Sequence, residues 1–110
     1  MSITKEEIVR LNYECILISI LVENENIKSN IRDNGLRMED LPCFADRINK
    51  INDYYNSSQN PKQAERDLTQ EMNNFIYSKA KSGEMKKDLA NMLPKIYSSL
   101  DEVLYSRENC

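Results

Sequence analysis

The residues of this chain best suited to acid–base chemistry are carboxylates that stand side by side. Glu6-Glu7, Glu39-Asp40 and Asp101-Glu102 are three such pairs. Catalysis by two carboxylates needs surroundings that push the two pKa values apart, usually in a pocket. Neighbours on a helix diverge by about 100°, so at most one acid of each pair can face a shared site. The first two pairs lie near expected helix starts, where they favour the helix dipole. We therefore interpret these acids as capping and solvated residues.

The chain contains no histidine, which removes the commonest general base and the commonest metal ligand. Its serines thus have no histidine partner for a catalytic triad, and a di-metal carboxylate bundle would need Glu-x-x-His motifs. No glycine-rich phosphate loop is present. Cys15 and Cys43 are expected to be buried thiols in a reducing cytosol, since the cysteines form no CxxC pair. We predict no enzyme activity, no catalytic residue, no cofactor and no metal.

Residues suited to binding another protein are more prominent. Four tyrosines are expected to flank apolar stripes, a position typical of amphipathic packing and of interfaces: Tyr54, Tyr77, Tyr97 and Tyr105. At least one of them is expected to anchor a partner. Four lysines surround the expected turn between the third and fourth helices: Lys79, Lys81, Lys86 and Lys87. A solvated helix end is the simpler interpretation of the lysines. The alternative is a docking surface for an acidic partner or lipid headgroups.

An apolar stretch over residues 15–22 organises the elements that carry these side chains. Apolar residues recur at steps of three and four from Ile8 to Val22, the spacing of one helical face. A second apolar set lies beside that face: Val9, Ile16 and Ile20. A helix apolar over most of its circumference must be covered on several sides. We therefore predict the central helix of a bundle.

That first helix is predicted over residues 4–32, starting from a capping box formed by Thr4 and Glu7. Residues 24–26 mark a point at which it could be interrupted. Three more helices are predicted over 40–55, 61–82 and 84–105. Both glycines and two of the three prolines then fall at helix ends, as expected for these residues: Gly35, Pro42, Pro61 and Gly83.

The fourth predicted helix contains Pro94, which removes one backbone hydrogen bond. A kink there, or a break into two short helices, is expected. Short connections between neighbouring helices favour antiparallel packing. The predicted fold class is therefore all-α: an antiparallel four-helix bundle, its fourth helix kinked at Pro94, in a single domain over residues 1–110.

Charge and hydropathy restrict the partner and the compartment. The 110 residues carry a net charge of −3, which disfavours nucleic acid as the main partner because phosphate binding usually needs a basic face. No signal peptide is recognisable, and the apolar stretch is far shorter than the roughly 20 residues that span a bilayer. We predict a soluble, cytoplasmic protein without a membrane span, either a monomer or a homodimer.

From Asn60 onward the layout resembles the class IIa bacteriocin immunity proteins. The shared features are Pro61 opening the third helix, a long amphipathic helix ending near residues 81–82, and a fourth helix with a mobile tail. The resemblance implies a cytosolic antiparallel four-helix bundle. It also implies protection by binding a toxin-occupied membrane receptor from inside the cell. It is architectural and transfers no functional residue.

The function predicted from these observations is non-catalytic. We expect a small cytosolic protein that binds another protein through a helix face, as an immunity protein, an inhibitor or an adaptor. Two alternatives remain open: a dimeric transcriptional co-regulator, whose affinity for DNA would fall steeply with salt, and a dimeric chaperone for a secreted effector.

Overall fold

The computed structural model describes residues 3–108, and every regular element in that range is helical. The five α-helices are α1 (Lys5–Leu21), α2 (Glu25–Asp33), α3 (Pro42–Asn56), α4 (Pro61–Ser82) and α5 (Glu84–Glu108), with a short 3-10 helix at Met38–Asp40. The predicted all-α class is confirmed.

The helix ends follow the local signals of the sequence. The side chain of Thr4 accepts a hydrogen bond of 3.2 Å from the N–H of Glu7 at the start of α1. The side chain of Asn60 accepts one of 3.2 Å from the N–H of Gln63 at the start of α4. Gly83 ends α4 in the left-handed region with φ +80°, a conformation that suits glycine. The predicted helix start at Thr4 and helix end at Gly83 are confirmed, although the Glu7 carboxylate accepts from the Thr4 hydroxyl and not from the Thr4 backbone N–H.

The first predicted helix, over residues 4–32, differs from the structure because it is divided into α1 and α2. The side chain of Asn24 accepts a hydrogen bond of 3.0 Å from the N–H of Asn26 and so caps a new helix. Asparagine favours this arrangement because its side chain competes with the helical backbone for hydrogen bonds. The new helix buries Ile27 completely. Residues 3–108 thus form five α-helices instead of the four predicted.

The kink predicted at Pro94 is not confirmed, and the alternative of a break does not occur. Helix α5 continues without interruption from Glu84 to Glu108, with Pro94 inside it. Pro94 and Ala90 are both exposed. The carbonyl of Ala90, which loses its usual partner to the proline, therefore belongs to the water-facing side of α5, where water can satisfy it.

Contacts along α1 give the directions of α3 and α4. Arg47, early in α3, pairs with Glu14 at 3.0 Å, while Tyr55, near the end of α3, packs against the cluster formed by Ile8, Val9 and Leu68. Helix α3 is therefore antiparallel to α1. Along α4, Glu71 pairs with Lys5 at 2.9 Å and Phe75 meets the ring of Tyr13 further along α1. Helix α4 thus runs in the same direction as α1.

The direction of α5 differs from that expected for an antiparallel four-helix bundle. Ser99 in α5 accepts a hydrogen bond of 3.0 Å from the N–H of Cys43, at the start of α3. Further on, Arg107 donates to the carbonyl of Asn34, just after α2. The later part of α5 therefore lies where α1 ends and α3 begins. In an up-and-down bundle it would return to the start of α1, so that topology is not confirmed.

The hydrophobic core has two parts, one at each half of α1. Its first half packs with α4 in a small cluster of Ile8, Val9 and Leu68. Its second half packs with α2, α3 and α5 in a larger cluster that includes Leu17, Ile18, Ile27 and Ile96, each at most 2 % exposed. Helix α1 contacts α3, α4 and α5. It is thus the central helix, as its apolar circumference predicts.

Candidate docking surface at the junction of α4 and α5

The α4–α5 junction, residues 77–88, contains all four lysines singled out in the sequence. Gly83 ends α4 and Glu84 begins α5 at the next position. The hydroxyl of Ser82 accepts a hydrogen bond of 3.3 Å from the N–H of Glu84. The two helices are therefore joined by one glycine, and side-chain contacts must hold their relative orientation.

Lys79 makes those contacts. Its ammonium lies 2.8 Å from a carboxylate oxygen of Glu84 and 3.4 Å from one of Asp88. The same ammonium lies over the rings of Phe75, 5.5 Å from the centroid, and Tyr13, 5.8 Å from the centroid. Its side chain is only 19 % exposed. The sequence made Lys79 a candidate docking residue, but its charged group is engaged in contacts within the fold.

Tyr13 completes this arrangement from α1. Its hydroxyl donates a hydrogen bond of 2.7 Å to Asp88, and its ring meets Phe75 edge-on at 5.1 Å. The residue is 2 % exposed. Sequence reasoning did not select Tyr13, although it lies four residues after Val9 and three before Ile16, on the second apolar face of α1. We call Tyr13, Lys79, Glu84 and Asp88 the junction network.

The pKa values of the network favour its charged, hydrogen-bonded form. The hydroxyl of Tyr13, and then the ammonium of Lys79, hold the pKa of Asp88 below its usual value. Burial, followed by the carboxylate of Asp88, raises the pKa of Tyr13. The hydrogen bond to Glu84 is the main reason that the pKa of Lys79 is raised, and Lys79 in turn lowers the pKa of Glu84. All four pKa values are thus shifted further from neutral pH. The network therefore keeps its protonation state near neutral pH and serves to join the helices.

Outside the network, the junction presents a basic surface with an aromatic residue. Tyr77 is 67 % exposed, and the ammonium of Lys81 lies 5.8 Å from the centroid of its ring. Lys86 and Lys87 are exposed in the first turn of α5. Within residues 3–108, Lys81, Lys86 and Lys87 have no carboxylate partner at ion-pair distance. We call Tyr77 and these three lysines the junction surface.

The structure does not gather the four selected tyrosines in one place. Tyr54 is half-buried, packs against the Ile8 cluster and meets Tyr55 edge-on at 5.8 Å. Tyr97 and Tyr105 are 38 % and 69 % exposed on α5. At a rise of about 1.5 Å per residue, Tyr97 lies about 15 Å along α5 from Lys87, and Tyr105 lies further still. Only Tyr77 adjoins the lysines.

The two cysteines in the described range are free and buried, Cys15 at 8 % and Cys43 at 9 % exposure. Burial raises the pKa of the Cys15 thiol to about 11, which keeps it protonated and unreactive. Among residues 3–108 no group of three or more Cys, Asp and Glu side chains is arranged to hold a metal ion.

Depressions flank α1 on the sides of α3, α4 and α5, and no sequence pattern indicated them. The one beside α3 has a volume of about 310 Å³. A groove of about 730 Å³ runs between α1 and α4, where Val9 and Phe75 lie among the carboxylates Glu6, Glu7 and Glu71. A pocket of about 160 Å³ lies between α1 and α5, beside Asp88 of the junction network. They depend on how α1 packs with helices distant in sequence, and no local pattern indicates them.

Comparison with protein-family models, with curated proteins and with solved structures returned no match. Of the helices described, none is long and apolar enough to cross a membrane. The fold and the junction together define an all-helical protein that presents a basic, aromatic surface where two helices meet.

Proposed function

We propose that this chain is a non-catalytic, cytosolic protein-binding module that docks on an acidic surface of another protein through the junction surface. The observation that carries the proposal is the contrast between two lysines that are two residues apart. Lys79 is used by the fold, whereas Lys81 lies beside the ring of an exposed tyrosine and has no carboxylate partner among residues 3–108.

Charge complementarity supports an acidic protein partner. The chain is acidic overall, with a net charge of −3. Lys81, Lys86 and Lys87 nevertheless concentrate positive charge near Gly83, and none of them has a carboxylate partner among residues 3–108. Such a patch accelerates encounter with an acidic partner and orients it. Tyrosine adds contact area with little loss of conformational entropy, which makes Tyr77 suited to anchor the contact.

Pre-organisation by the junction network also supports this function. Asp88 receives a hydrogen bond from Tyr13 on α1 and an ion pair from Lys79 on α4. The angle between α4 and α5 is thus held by side chains that do not belong to the junction surface. A surface already held in shape binds a partner at a lower entropic cost.

The immunity role implied by the resemblance is one form of this function, with a toxin-occupied receptor as the acidic partner. An inhibitor or an adaptor would use the same surface. A transcriptional co-regulator or a secretion chaperone remains the alternative. No feature of the described residues favours either alternative over a protein-binding module.

The test is affinity capture from the host cell with two matched variants. K81E/K86E/K87E reverses the junction surface, and K28E/K50E/K62E reverses three exposed lysines elsewhere with the same change in net charge. We expect a partner that the control variant captures, that K81E/K86E/K87E loses, and that rising salt releases. The direct interaction is then measured with the purified partner, where Y77A is expected to weaken binding roughly tenfold or more.

Equal capture by both charge-reversed variants would contradict the proposal. Recovery of DNA or polymerase subunits instead of an acidic partner would favour the co-regulator. A stable dimer in solution, of twice the 12.9 kDa chain, with a secreted client would favour the chaperone.

A further inference from the structure

The pocket between α1 and α5 is lined by charged and polar side chains around an apolar base. Its volume is about 160 Å³, and its lining includes Leu17 and Met92, which are 2 % and 3 % exposed. Two cations, Arg10 and Lys95, line it together with the amide of Asn91 and two carboxylates, Glu14 and Asp88. None of the residues of the junction surface lines this pocket.

The two carboxylates already have partners. Asp88 accepts a hydrogen bond of 2.7 Å from the hydroxyl of Tyr13 and pairs with Lys79 at 3.4 Å. Glu14 accepts a hydrogen bond of 3.0 Å from the guanidinium of Arg47. The negative charges of the pocket are therefore compensated by groups of the fold.

The hydrogen-bond donors that line the pocket, unlike its carboxylates, have no partner within residues 3–108. Within the described part of the chain, Arg10, Asn91 and Lys95 make no hydrogen bond or ion pair at bonding distance. A guanidinium carries five N–H donors and an ammonium three. Arg10 lines this pocket together with Asp88, and its positive charge adds to the effects of the Tyr13 hydroxyl and the Lys79 ammonium, which hold the pKa of Asp88 below its usual value. The pocket thus offers unused donors and positive charge beside satisfied acceptors.

We infer that this pocket binds a small oxyanion, a carboxylate or phosphoryl group, between the guanidinium of Arg10, the ammonium of Lys95 and the amide of Asn91. The match is one of charge and of size. Since one water occupies about 30 Å³ of liquid, the pocket has room for roughly five waters, which is enough for inorganic phosphate or a short dicarboxylate. Arginine is well suited to such groups because its planar fork donates two parallel hydrogen bonds.

The test uses the full-length, ¹⁵N-labelled chain and NMR titration with three probes: inorganic phosphate, acetate and succinate. Sodium chloride of equal ionic strength is the reference. We expect saturable shifts at the amides of Arg10, Asn91 and Lys95, with a dissociation constant of about 1 mM or lower for the preferred probe. Stronger binding of phosphate identifies a phosphoryl ligand, and stronger binding of acetate or succinate identifies a carboxylate.

Matched variants decide whether the site is the pocket. R10Q/K95Q is expected to weaken binding roughly tenfold or more, since it removes two charge-assisted contacts. Both side chains are exposed, so the fold should be retained, and circular dichroism checks this. The control K28Q/K62Q and the junction variant K81Q/K86Q/K87Q should bind as the natural chain does.

Shifts that do not saturate, that chloride reproduces, or that persist in R10Q/K95Q would overturn the inference. A loss of anion binding in K81Q/K86Q/K87Q alone would also overturn it, because the anion would then be at the junction surface. The inference does not depend on the proposed function, since the two sets of lysines differ.

Discussion

The hydroxyl of Tyr13 on α1 donates a hydrogen bond of 2.7 Å to Oδ2 of Asp88 on α5, across 75 positions of sequence. The same oxygen lies 3.4 Å from the ammonium of Lys79, near the end of α4. One carboxylate oxygen therefore joins three helices at the point where α4 gives way to α5. This contact orients the junction surface and also forms one wall of the pocket between α1 and α5.

Replacing Tyr13 by phenylalanine is expected to lower the free energy of unfolding by about 1–2 kcal/mol, since it removes a buried hydrogen bond to a charged group but keeps the ring. Urea denaturation followed by circular dichroism measures this loss. The control Y77F removes an exposed hydroxyl and should change stability by less than about 0.5 kcal/mol. Equal losses in the two variants would show that the Tyr13 hydroxyl has no structural role.

The decrease in the free energy of unfolding at low pH should depend on Asp88. The pKa of Asp88 is lowered from its ordinary value of 3.8, first by the hydroxyl of Tyr13 and then by Lys79. Its contribution is therefore present above pH 3.8 and is lost as pH falls through the lower folded value. D88N should be less stable than the natural chain at pH 7, and the difference should shrink below pH 3.8. A difference that stays constant between pH 7 and pH 3 would contradict this.

The decrease in the free energy of unfolding at high pH should depend on Tyr13. Its pKa is raised above the ordinary value of 10.0, chiefly by burial and next by the carboxylate of Asp88. The contribution is therefore complete below pH 10 and is lost as pH rises towards the folded value. In a titration at the absorbance of tyrosinate, Tyr13 should ionise only as the protein unfolds. Y13F should lose this late phase, whereas Y77F should retain it.

Two isoleucines of α1 provide a matched test of the core. Ile18 is fully buried, whereas Ile20, two residues on, is 46 % exposed. I18A should lower the free energy of unfolding by about 2–5 kcal/mol because it leaves a cavity. I20A should cost less than about 1 kcal/mol, since it removes a partly solvated side chain. Similar losses in chemical denaturation would show that the second apolar face of α1 is covered in solution, for example by another copy of the chain.

Replacing Pro94 by alanine is expected to stabilise the chain. Proline inside a helix is about 3 kcal/mol less favourable than alanine, and part of the gain is offset because proline also restricts the unfolded chain. Since Pro94 is exposed within the uninterrupted helix α5, we expect a net gain of about 1–2 kcal/mol. Thermal and urea denaturation measure it. A loss of stability would indicate that the proline supports a bend on which the core depends.

Much of the local structure was predictable because it depends on residues a few positions apart. Thr4 with Glu7, Asn60 with Gln63, and Gly83 mark helix ends through contacts within one turn. The division after α1 was harder, since the apolar period continues across it to Ile31. Asn24 indicates an interruption there, but the burial of Ile27, which lies in α2, involves other helices.

The candidate sites were predictable only in part. The sequence shows that the lysines of residues 79–87 form a cluster. It does not distinguish a lysine that makes ion pairs within the fold from one that is exposed to water. Lys79 is distinguished only by Glu84, Asp88 and two aromatic rings. The pocket between α1 and α5 had no signal at all, because Arg10 and Lys95 lie on different helices.

The sequence by itself determined the all-helical class, the central place of α1 and most of the helix ends, because helical period and capping act over three or four residues. Only the tertiary structure decided that α5 continues towards the end of α1 and that Asp88 meets Tyr13 and Lys79. Helices with similar apolar stripes can cross at several angles. The choice among these angles rests on side chains that meet only after the helices have packed.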